Sequence, residues 1–491
     1  MSICGPSRPP PGAVTQRAII ATFLPCHRLE GARSPPGGVS VSMNILIVGG
    51  GLVGSTLAAK LASDGHDVSV VESDPARVLD LRDTLDCQLI EGNGALPSVL
   101  SRAGVEDADL LLATTNADEF NLIVGMLGTA VFNVPRVGVR VREEEHAKSF
   151  ARMSESFPGD HFCVNPAAAA TERILSLLDV PGALDVVSFM DGRLLVAGFR
   201  ILPTSDFAGL LLSHIKLMFP DTPTIVTAIR RRDEWIVPSG EEEIQVNDIV
   251  YFSIAREELD SVLLLVGALE EGKRYIMVAG AGRIALDVAR RLESVDKRVI
   301  VIEEDAERAR HAAEVLEKTL VIHGRVTDQA LLEQEEIEKV GTFVALREDQ
   351  EENLVSGLLA KRLGASRAFS LVDNPALSTL IGEIGIDAVI SPRLLAVGLT
   401  LQHIRRGIVR SVAALLEDKV EIMEAEAVEG SRLTSGTLAK IKLPRGVIVA
   451  AVRRGEELRV PRGHDQIQPG DQVVLITTTE NAQRLDAYLS P

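Results

Sequence analysis

The fold of this chain is decided by residues 43–74, which read MNILIVGGGLVGSTLAAKLASDGHDVSVVESD. The segment opens on the apolar run ILIV, which is typical of a strand buried on both faces of a parallel sheet. The motif Gly49-x-Gly51-x-x-Gly54 comes next, and apolar residues then recur at helical spacing. A second apolar run ends on Glu72. This order of strand, glycine loop, helix, strand and acid predicts a dinucleotide-binding unit.

Each residue of this motif has a predicted physical role. Gly49 permits the tight turn, Gly51 lets a pyrophosphate approach the backbone, and Gly54 lets the helix pack closely on the sheet. The first N–H groups of the helix have no partner within it and can bind phosphate. Glu72 lies about 20 residues further on, where a carboxylate accepts hydrogen bonds from a ribose. Because it also repels a 2′-phosphate, the sequence favours NAD over NADP. The alternative is a Rossmann sheet whose loop has lost its ligand.

Further polar residues follow the next predicted strands. Asn93, Thr115 and Arg140 each come after a short apolar run, as Glu72 does. Ligands of open α/β sheets bind beyond the carboxyl ends of the strands. We therefore predict that these four residues converge at one edge of the sheet.

Composition excludes several classes of function. The chain has 491 residues, enough for about three or four domains, and a formal net charge of −18, which disfavours a nucleic-acid partner. Its four cysteines have no CxxC spacing, which argues against structural zinc and for a reducing compartment. No run reaches the roughly 18 apolar residues of a membrane span. Residues 1–42, rich in proline and glycine, are predicted to be a disordered extension ahead of a natural start at Met43.

The chain then repeats itself after about 230 residues. The opening motif returns as Gly280-Ala-Gly282-Arg283-Ile284-Ala285, with Glu303 in the place of the first acid. Short alternating strands follow each copy. The prediction is α/β: two tandem Rossmann domains, each followed by a small α+β lobe. The predicted domains are residues 43–165, 185–269, 273–390 and 410–491.

Four segments carry a resemblance to a known family: GGGLVG at 49–54, EGNG at 91–94, LSRAGVEDADLLLATTNADEFN at 100–121 and SGTLAKIKLPRGVIVAAVRRG at 435–455. With them, the chain from Met43 onward resembles the RCK family of potassium-conductance regulators, and in particular the cytosolic nucleotide-binding subunits of bacterial Trk potassium-uptake systems. The resemblance implies a homotetrameric ring on the cytoplasmic face of a membrane potassium-translocating subunit. It also implies NAD(H) binding, with ATP or ADP competing or binding elsewhere.

The resemblance also implies a set of ligand residues. Those of the first copy would surround the pyrophosphate, the ribose, the adenine side and the remaining phosphate: Gly49, Gly50, Gly51, Leu52, Val53, Gly54, Glu72, Asn93, Gly94, Thr115, Asn116 and Arg140. Those of the second copy would be Gly280, Gly282, Arg283, Ile284 and Glu303. The second copy departs from the pattern at three positions, where Arg325, Arg347 and Leu371 stand. Weaker binding is therefore expected there.

Two other functions remain open. A dehydrogenase would need a substrate domain with a general acid or base, and the lobes show no such cluster, so no catalytic residue and no enzyme activity are predicted. Asp118, Glu119 and Asn121 could suggest a metal or acid–base pair, but their place at a helix start favours capping. A regulator of another cation transporter, such as an efflux antiporter, is the remaining alternative, because the pore would lie in another chain.

Overall fold

The structure is a computed structural model. It describes residues 42–218, 224–232, 234–238, 240–268, 275–374, 377, 385–404, 409–415, 420–441, 443–444, 446–478, 481, 485 and 488–489. The predicted extension therefore lies outside the described residues, except for residue 42.

The first sheet is a six-stranded parallel Rossmann sheet with the order β3-β2-β1-β4-β5-β6. Buried apolar residues dominate the middle of its strands because helices cover both faces. The strands are β1 Asn44–Val48, β2 Asp67–Glu72, β3 Gln88–Glu91, β4 Leu110–Ala113, β5 Arg136–Arg140 and β6 Asp160–Val164. The helices are α1 Leu52–Ser63, α2 Pro75–Arg82, α3 Pro97–Arg102, α4 Asp118–Met126 with a π-helical turn Leu127–Val131, α5 Glu144–Ser154 and α6 Pro166–Asp179.

The second six-stranded parallel sheet repeats this order as β14-β13-β12-β15-β16-β17. Its strands are β12 Tyr275–Ala279, β13 Arg298–Glu303, β14 Leu320–His323, β15 Val340–Ala345, β16 Arg367–Leu371 and β17 Ala388–Ile390. Its helices are α9 Arg283–Ser294, α10 Ala306–Val315, α11 Gln329–Gln334, α12 Gln350–Arg362 and α13 Pro392–Ile404. The prediction of two Rossmann domains is confirmed.

Each Rossmann domain is followed by a lobe with a five-stranded sheet whose neighbouring strands are antiparallel. The first lobe contains β7 Ala183–Phe189, β8 Leu194–Arg200, α7 Leu212–Met218, β9 Thr224–Arg231, β10 Glu234–Ile236, β11 Ile249–Ala255 and α8 Leu259–Val266. The second contains β18 Val409–Leu415, β19 Val420–Glu426, α14 Leu438–Ile441, β20 Val447–Arg454, β21 Glu457–Arg459 and β22 Gln472–Thr478. The two lobes share one apolar cluster, in which Val196 and Tyr251 lie with Ile422 and Val474.

The two halves exchange a helix. Helix α6 of the first half contacts α9 and β17 of the second, and helix α13 of the second half contacts α1 and β6 of the first. Ala396 and Val397 of α13 belong to the same core cluster as Ile47 of β1 and Leu57 of α1. The core of each Rossmann domain is thus completed by a helix from the other half.

Within the part of the chain that the structure describes, we find no helix whose length and apolar character would suit a membrane span.

Candidate functional site

The first glycine loop joins β1 to α1 at the carboxyl end of the sheet. Gly49 has φ +108°, a left-handed conformation that favours glycine, and a Cβ added at Gly54 would lie 1.9 Å from the Gly49 carbonyl oxygen. The fold itself therefore requires these two glycines. Gly51 is different, because its φ is −64° and an added Cβ would meet nothing within 4 Å. Its lack of a side chain leaves open space in front of the loop.

Glu72 lies at the end of β2 and turns towards this loop. One carboxylate oxygen accepts a hydrogen bond from the Gly50 N–H at 2.8 Å. The other accepts the N–H groups of Ser73 at 2.7 Å and Asp74 at 2.9 Å. The carboxylate therefore orders the glycine loop.

The remaining predicted residues lie around this loop to different degrees. A Cβ on Gly49 would lie 2.9 Å from Thr115, and Arg140 Nη1 donates to the Thr115 carbonyl at 3.2 Å, so these three residues are brought together. Asn93 and Gly94 follow β3 on the other side of the loop, where the Asn93 side chain accepts the Ala95 N–H. Gly94 lies against the end of β1, since its Cβ would be 2.4 Å from Val48 Cγ1.

Three further predicted residues sit at the margin of the site. Leu52 is 59% exposed at the start of α1, and Asn116 is also exposed. The Val53 side chain is buried and lines a small internal cavity of about 10 Å³, together with Arg140, Ala396 and Thr400. Contact of Val53 with a ligand would therefore have to come from its backbone.

Arg140 is the predicted cation beside the first loop, where it contacts Thr115. Burial, and then the neighbouring charge of Arg142, lower the pKa of Arg140 below its usual value, while Asp118 and Asp373 oppose the shift. Arginine still carries its charge at neutral pH. Arg140 Nε is buried without a hydrogen-bond partner in the described part of the protein.

Asp118 and Asn121 correct our interpretation of the start of α4. The helix has no side-chain cap, so neither residue caps it. Asp118 instead accepts the backbone N–H groups of Arg142 at 2.7 Å and Glu143 at 2.9 Å, at the start of α5. Burial raises the pKa of Asp118, but these hydrogen bonds outweigh burial and the net pKa is lowered.

Asn121 is fully buried and joins Thr115 to Arg140, so it is a site residue that our sequence reasoning missed. The signal was available, since the motif Glu119-Phe-Asn121 recurs in the second half as Glu351-Glu-Asn353.

The second glycine loop keeps the same backbone geometry. Gly280 has φ +99°, and Gly282 has φ −69° with only the Leu346 carbonyl oxygen, 4.0 Å away, near an added Cβ. Glu303 accepts the Ala281 N–H at 2.7 Å and the Asp305 N–H at 2.9 Å, as Glu72 does in the first copy. Unlike Glu72, it is only 2% exposed, and it also pairs with Arg308 at 3.2 Å.

Arg347 takes the place of Thr115 beside this second loop. Its Cγ would lie 3.2 Å from a Cβ on Gly280, and its side chain is only 10% exposed. Its guanidinium pairs with Glu304 at 2.5 Å and with Glu352 at 3.0 Å. The hydrogen bond from Arg347 lowers the pKa of Glu304. The crevice beside the second loop is therefore partly filled by an ion-paired side chain of the protein.

The remaining predicted residues of the second copy face the first half or the core. Arg283, the first residue of α9, pairs with Glu143 of the first Rossmann domain at 2.5 Å. Ile284 packs against the core cluster that contains Ala285 and Val301. The described residues contain no group of three or more His, Cys, Asp or Glu side chains that could hold a metal ion.

Comparison with known proteins places this geometry in a family. The TrkA-N domain model matches residues 45–156 and 276–392, and the TrkA-C domain model matches residues 196–267 and 422–490. A Trk system potassium uptake protein TrkA from Azorhizobium caulinodans is 35% identical over 450 residues, which covers 90% of this chain and 98% of that protein. One from Halomonas elongata is 35% identical over 437 residues and covers 88% and 95% of the two chains.

A solved structure described as the GsuK channel bound to NAD has a TM-score of 0.58 at 18% identity. It covers 92% of this chain and 79% of that one, and this likeness concerns the fold. Matches to the family model in both halves and 35% identity over nearly the whole of a relative settle the membership. The chain belongs to the family of the Trk system potassium uptake protein TrkA.

Proposed function

We propose that this chain is the nucleotide-binding regulatory subunit of a Trk-type potassium uptake system and that its first glycine loop binds NAD(H). The observation that carries the proposal is Gly51. Its backbone conformation is ordinary and an added Cβ meets nothing within 4 Å, so no part of the protein that the structure describes requires glycine there. A ligand that approaches the backbone closely, as a pyrophosphate does at the start of a helix, would explain why this residue is glycine.

The choice of NAD(H) rests on Glu72. Its carboxylate lies at the end of β2 beside the loop, where it would accept ribose hydroxyl groups and repel a 2′-phosphate. Arg140 supplies a positive charge on the other side of the loop for the second phosphate. ATP or ADP would compete for the same phosphate-binding N–H groups of the loop. The second loop would bind more weakly, since Arg347 and its two carboxylates occupy part of the crevice.

The proposed role of the nucleotide is regulation rather than hydride transfer. The acidic groups beside the loop, Glu72 and Asp118, are engaged by backbone N–H groups and serve to order the backbone. A ligand shifts a conformational equilibrium only through a difference in affinity for the two states. We propose that NAD(H) has such a difference and that the change is passed to a membrane potassium-translocating subunit, on whose cytoplasmic face the protein sits.

Assembly into a homotetrameric ring is part of the proposal. Ile123 of α4 and Val355 of α12 occupy equivalent positions in the two halves, and they are 52% and 55% exposed. Equivalent exposed apolar side chains on both halves suit contacts between copies related by symmetry. Light scattering should give the mass of four chains, and Ile123→Glu with Val355→Glu should lower it.

The experiment that tests the function uses Gly51→Val, because the backbone conformation at residue 51 is ordinary and a Cβ there meets nothing within 4 Å. Calorimetry with NADH should show loss of binding at the first loop, and cells carrying the variant should take up potassium abnormally at low external potassium. Gly282→Val is the matched control, with the same backbone geometry in the other loop. The first-loop assignment is wrong if Gly51→Val binds NADH as the wild type does.

Two further measurements separate the alternatives. Purified protein with NADH and a panel of carbonyl compounds should show no turnover, whereas steady oxidation of NADH would identify a dehydrogenase. A potassium-uptake membrane subunit should copurify with the chain from its own cells. Copurification with an efflux antiporter instead would support the other transport alternative.

A further inference from the structure

Asn121 connects the ends of two neighbouring strands behind the first glycine loop. Its side-chain oxygen accepts the Thr115 N–H at 3.0 Å and the Thr115 hydroxyl at 2.7 Å. Its side-chain nitrogen donates to the Thr115 carbonyl at 3.0 Å and to the Arg140 carbonyl at 2.8 Å. The side chain is 0% exposed. One buried amide thus connects the backbone of Thr115, which follows β4, to that of Arg140 at the end of β5.

Only an amide of this length meets these demands. An asparagine side chain offers two N–H donors and one oxygen with two lone pairs, and all four are used here. An ionised aspartate would direct an acceptor at two carbonyl oxygens, and an apolar residue would leave the Thr115 N–H and both carbonyls without this partner. Because the group is buried, the loss of a partner is costly.

The second half contains the same connection around different side chains. Asn353 is also 0% exposed, accepts the Arg347 N–H at 2.9 Å, and donates to the carbonyls of Arg347 at 2.9 Å and Leu371 at 3.0 Å. The backbone arrangement is therefore preserved where Thr115 and Arg140 are replaced. The two asparagines are alike in burial and backbone hydrogen bonds, and differ in what they position.

We propose that Asn121 is a positioning residue for the nucleotide: it holds the backbones of Thr115 and Arg140 so that their side chains keep their places beside the first glycine loop. The inference rests on the proposed binding of NAD(H) to that loop. Asn121 does not touch the ligand itself. Asn353 makes the equivalent backbone hydrogen bonds in the second half. It holds no residue that lies beside the first loop.

The test compares Asn121→Ala with Asn353→Ala in the full chain, both in a Gly282→Val background so that the first loop alone reports binding. The two variants should lose similar thermal stability, since they lose equivalent backbone bonds. Asn121→Ala should weaken NADH binding by about tenfold, which corresponds to about 1.4 kcal/mol, because Thr115 and Arg140 are no longer held in place beside the first loop. Asn353→Ala should change the affinity less than about twofold, within the range of an indirect effect.

A second variant keeps the test informative if the alanine variant does not fold. Asn121→Asp has the same shape, and burial raises the pKa of such a carboxyl group, so its protonated form regains one donor at lower pH. NADH affinity of Asn121→Asp, relative to the Gly282→Val parent, should therefore rise from pH 8 to pH 6.

The outcomes distinguish this inference from the proposed function. If the Gly282→Val parent fails to bind NADH, the proposed function is wrong. If the parent binds but Asn121→Ala binds equally well, or Asn353→Ala is weakened to the same extent, Asn121 has no special positioning role. An unchanged relative affinity of Asn121→Asp across pH would also overturn it.

Discussion

Arg136 and Arg367 make the same contact in opposite directions between the two halves. Arg136, at the start of β5, donates to the carbonyls of His403 and Ile404 at the end of α13. Arg367, at the start of β16, donates to the carbonyls of Leu177 at 3.2 Å and Val180 at 3.4 Å, at the end of α6. A guanidinium at a helix C-terminus satisfies free carbonyls and complements the helix dipole. Each arginine therefore fixes the exchanged helix of the other half.

These contacts predict a stability effect. Arg136→Met should lower the free energy of unfolding by about 1.5–3 kcal/mol, the range for hydrogen bonds from a charged group, and Arg367→Met should do the same. Urea unfolding monitored by circular dichroism measures both. Arg310→Met is the control, since Arg310 forms an exposed pair with Glu307 on α10 and should change stability by about 0.5 kcal/mol or less. Equal losses in all three variants would contradict a specific role for the helix ends.

Asp118 predicts a dependence of stability on pH. Its pKa is lowered in the folded protein, so its contribution is present above the unfolded pKa of about 4 and is lost as the pH falls through the folded value. Asp118→Asn should therefore be less stable than the wild type at pH 7, and the difference should shrink towards pH 3. Urea midpoints of the two proteins across this range give the measurement. A difference that stays constant with pH would show that the charge of Asp118 contributes nothing.

Variants of Glu72 and Glu303 should distinguish the ordering of the glycine loops from ligand binding. Each accepts backbone N–H groups of its own glycine loop, so Glu72→Ala and Glu303→Ala should both reduce stability. Only Glu72→Ala should also weaken NADH binding at the first loop, by about 1.5–3 kcal/mol for the lost ribose hydrogen bonds. Calorimetry on both variants decides, and a comparable affinity loss in Glu303→Ala would mean that the two loops are not independent.

Because Arg347 fills part of the crevice beside the second loop, its replacement should make room for NADH there. Arg347→Thr combined with Leu371→Arg places the first-copy side chains in the second copy and removes the pairs with Glu304 and Glu352. In a Gly51→Val background, NADH affinity should rise relative to the Gly51→Val parent. Arg325→Ala serves as control, because Arg325 is 74% exposed and its ion pair with Glu304 is long, at 3.9 Å. Weaker binding after Arg347→Thr would identify Arg347 as a phosphate ligand instead.

Local patterns in the sequence predicted the architecture well, because strands buried on both faces, glycine loops and internal repeats have strong signals. The prediction of helix capping for Asn121 was wrong. Cap preference is a local tendency, and in this protein it is overridden by a buried network between strands that are distant in sequence. The partial filling of the second crevice by Arg347 depends on its distances to Glu304 and Glu352, which no sequence spacing encodes. The roles of the predicted ligand residues stay predictions.

The exchange of α6 and α13 constrains how the two copies could diverge after duplication. Ala396 and Val397 pack into the core of the half to which they do not belong by sequence, so substitutions there must suit the opposite copy. Thr115 and Arg347 at the two loops are under no such reciprocal constraint. A duplicated gene with this architecture keeps its two cores in step while its two loops evolve separately. The two halves therefore depend on each other for their cores, while the crevices beside their glycine loops differ.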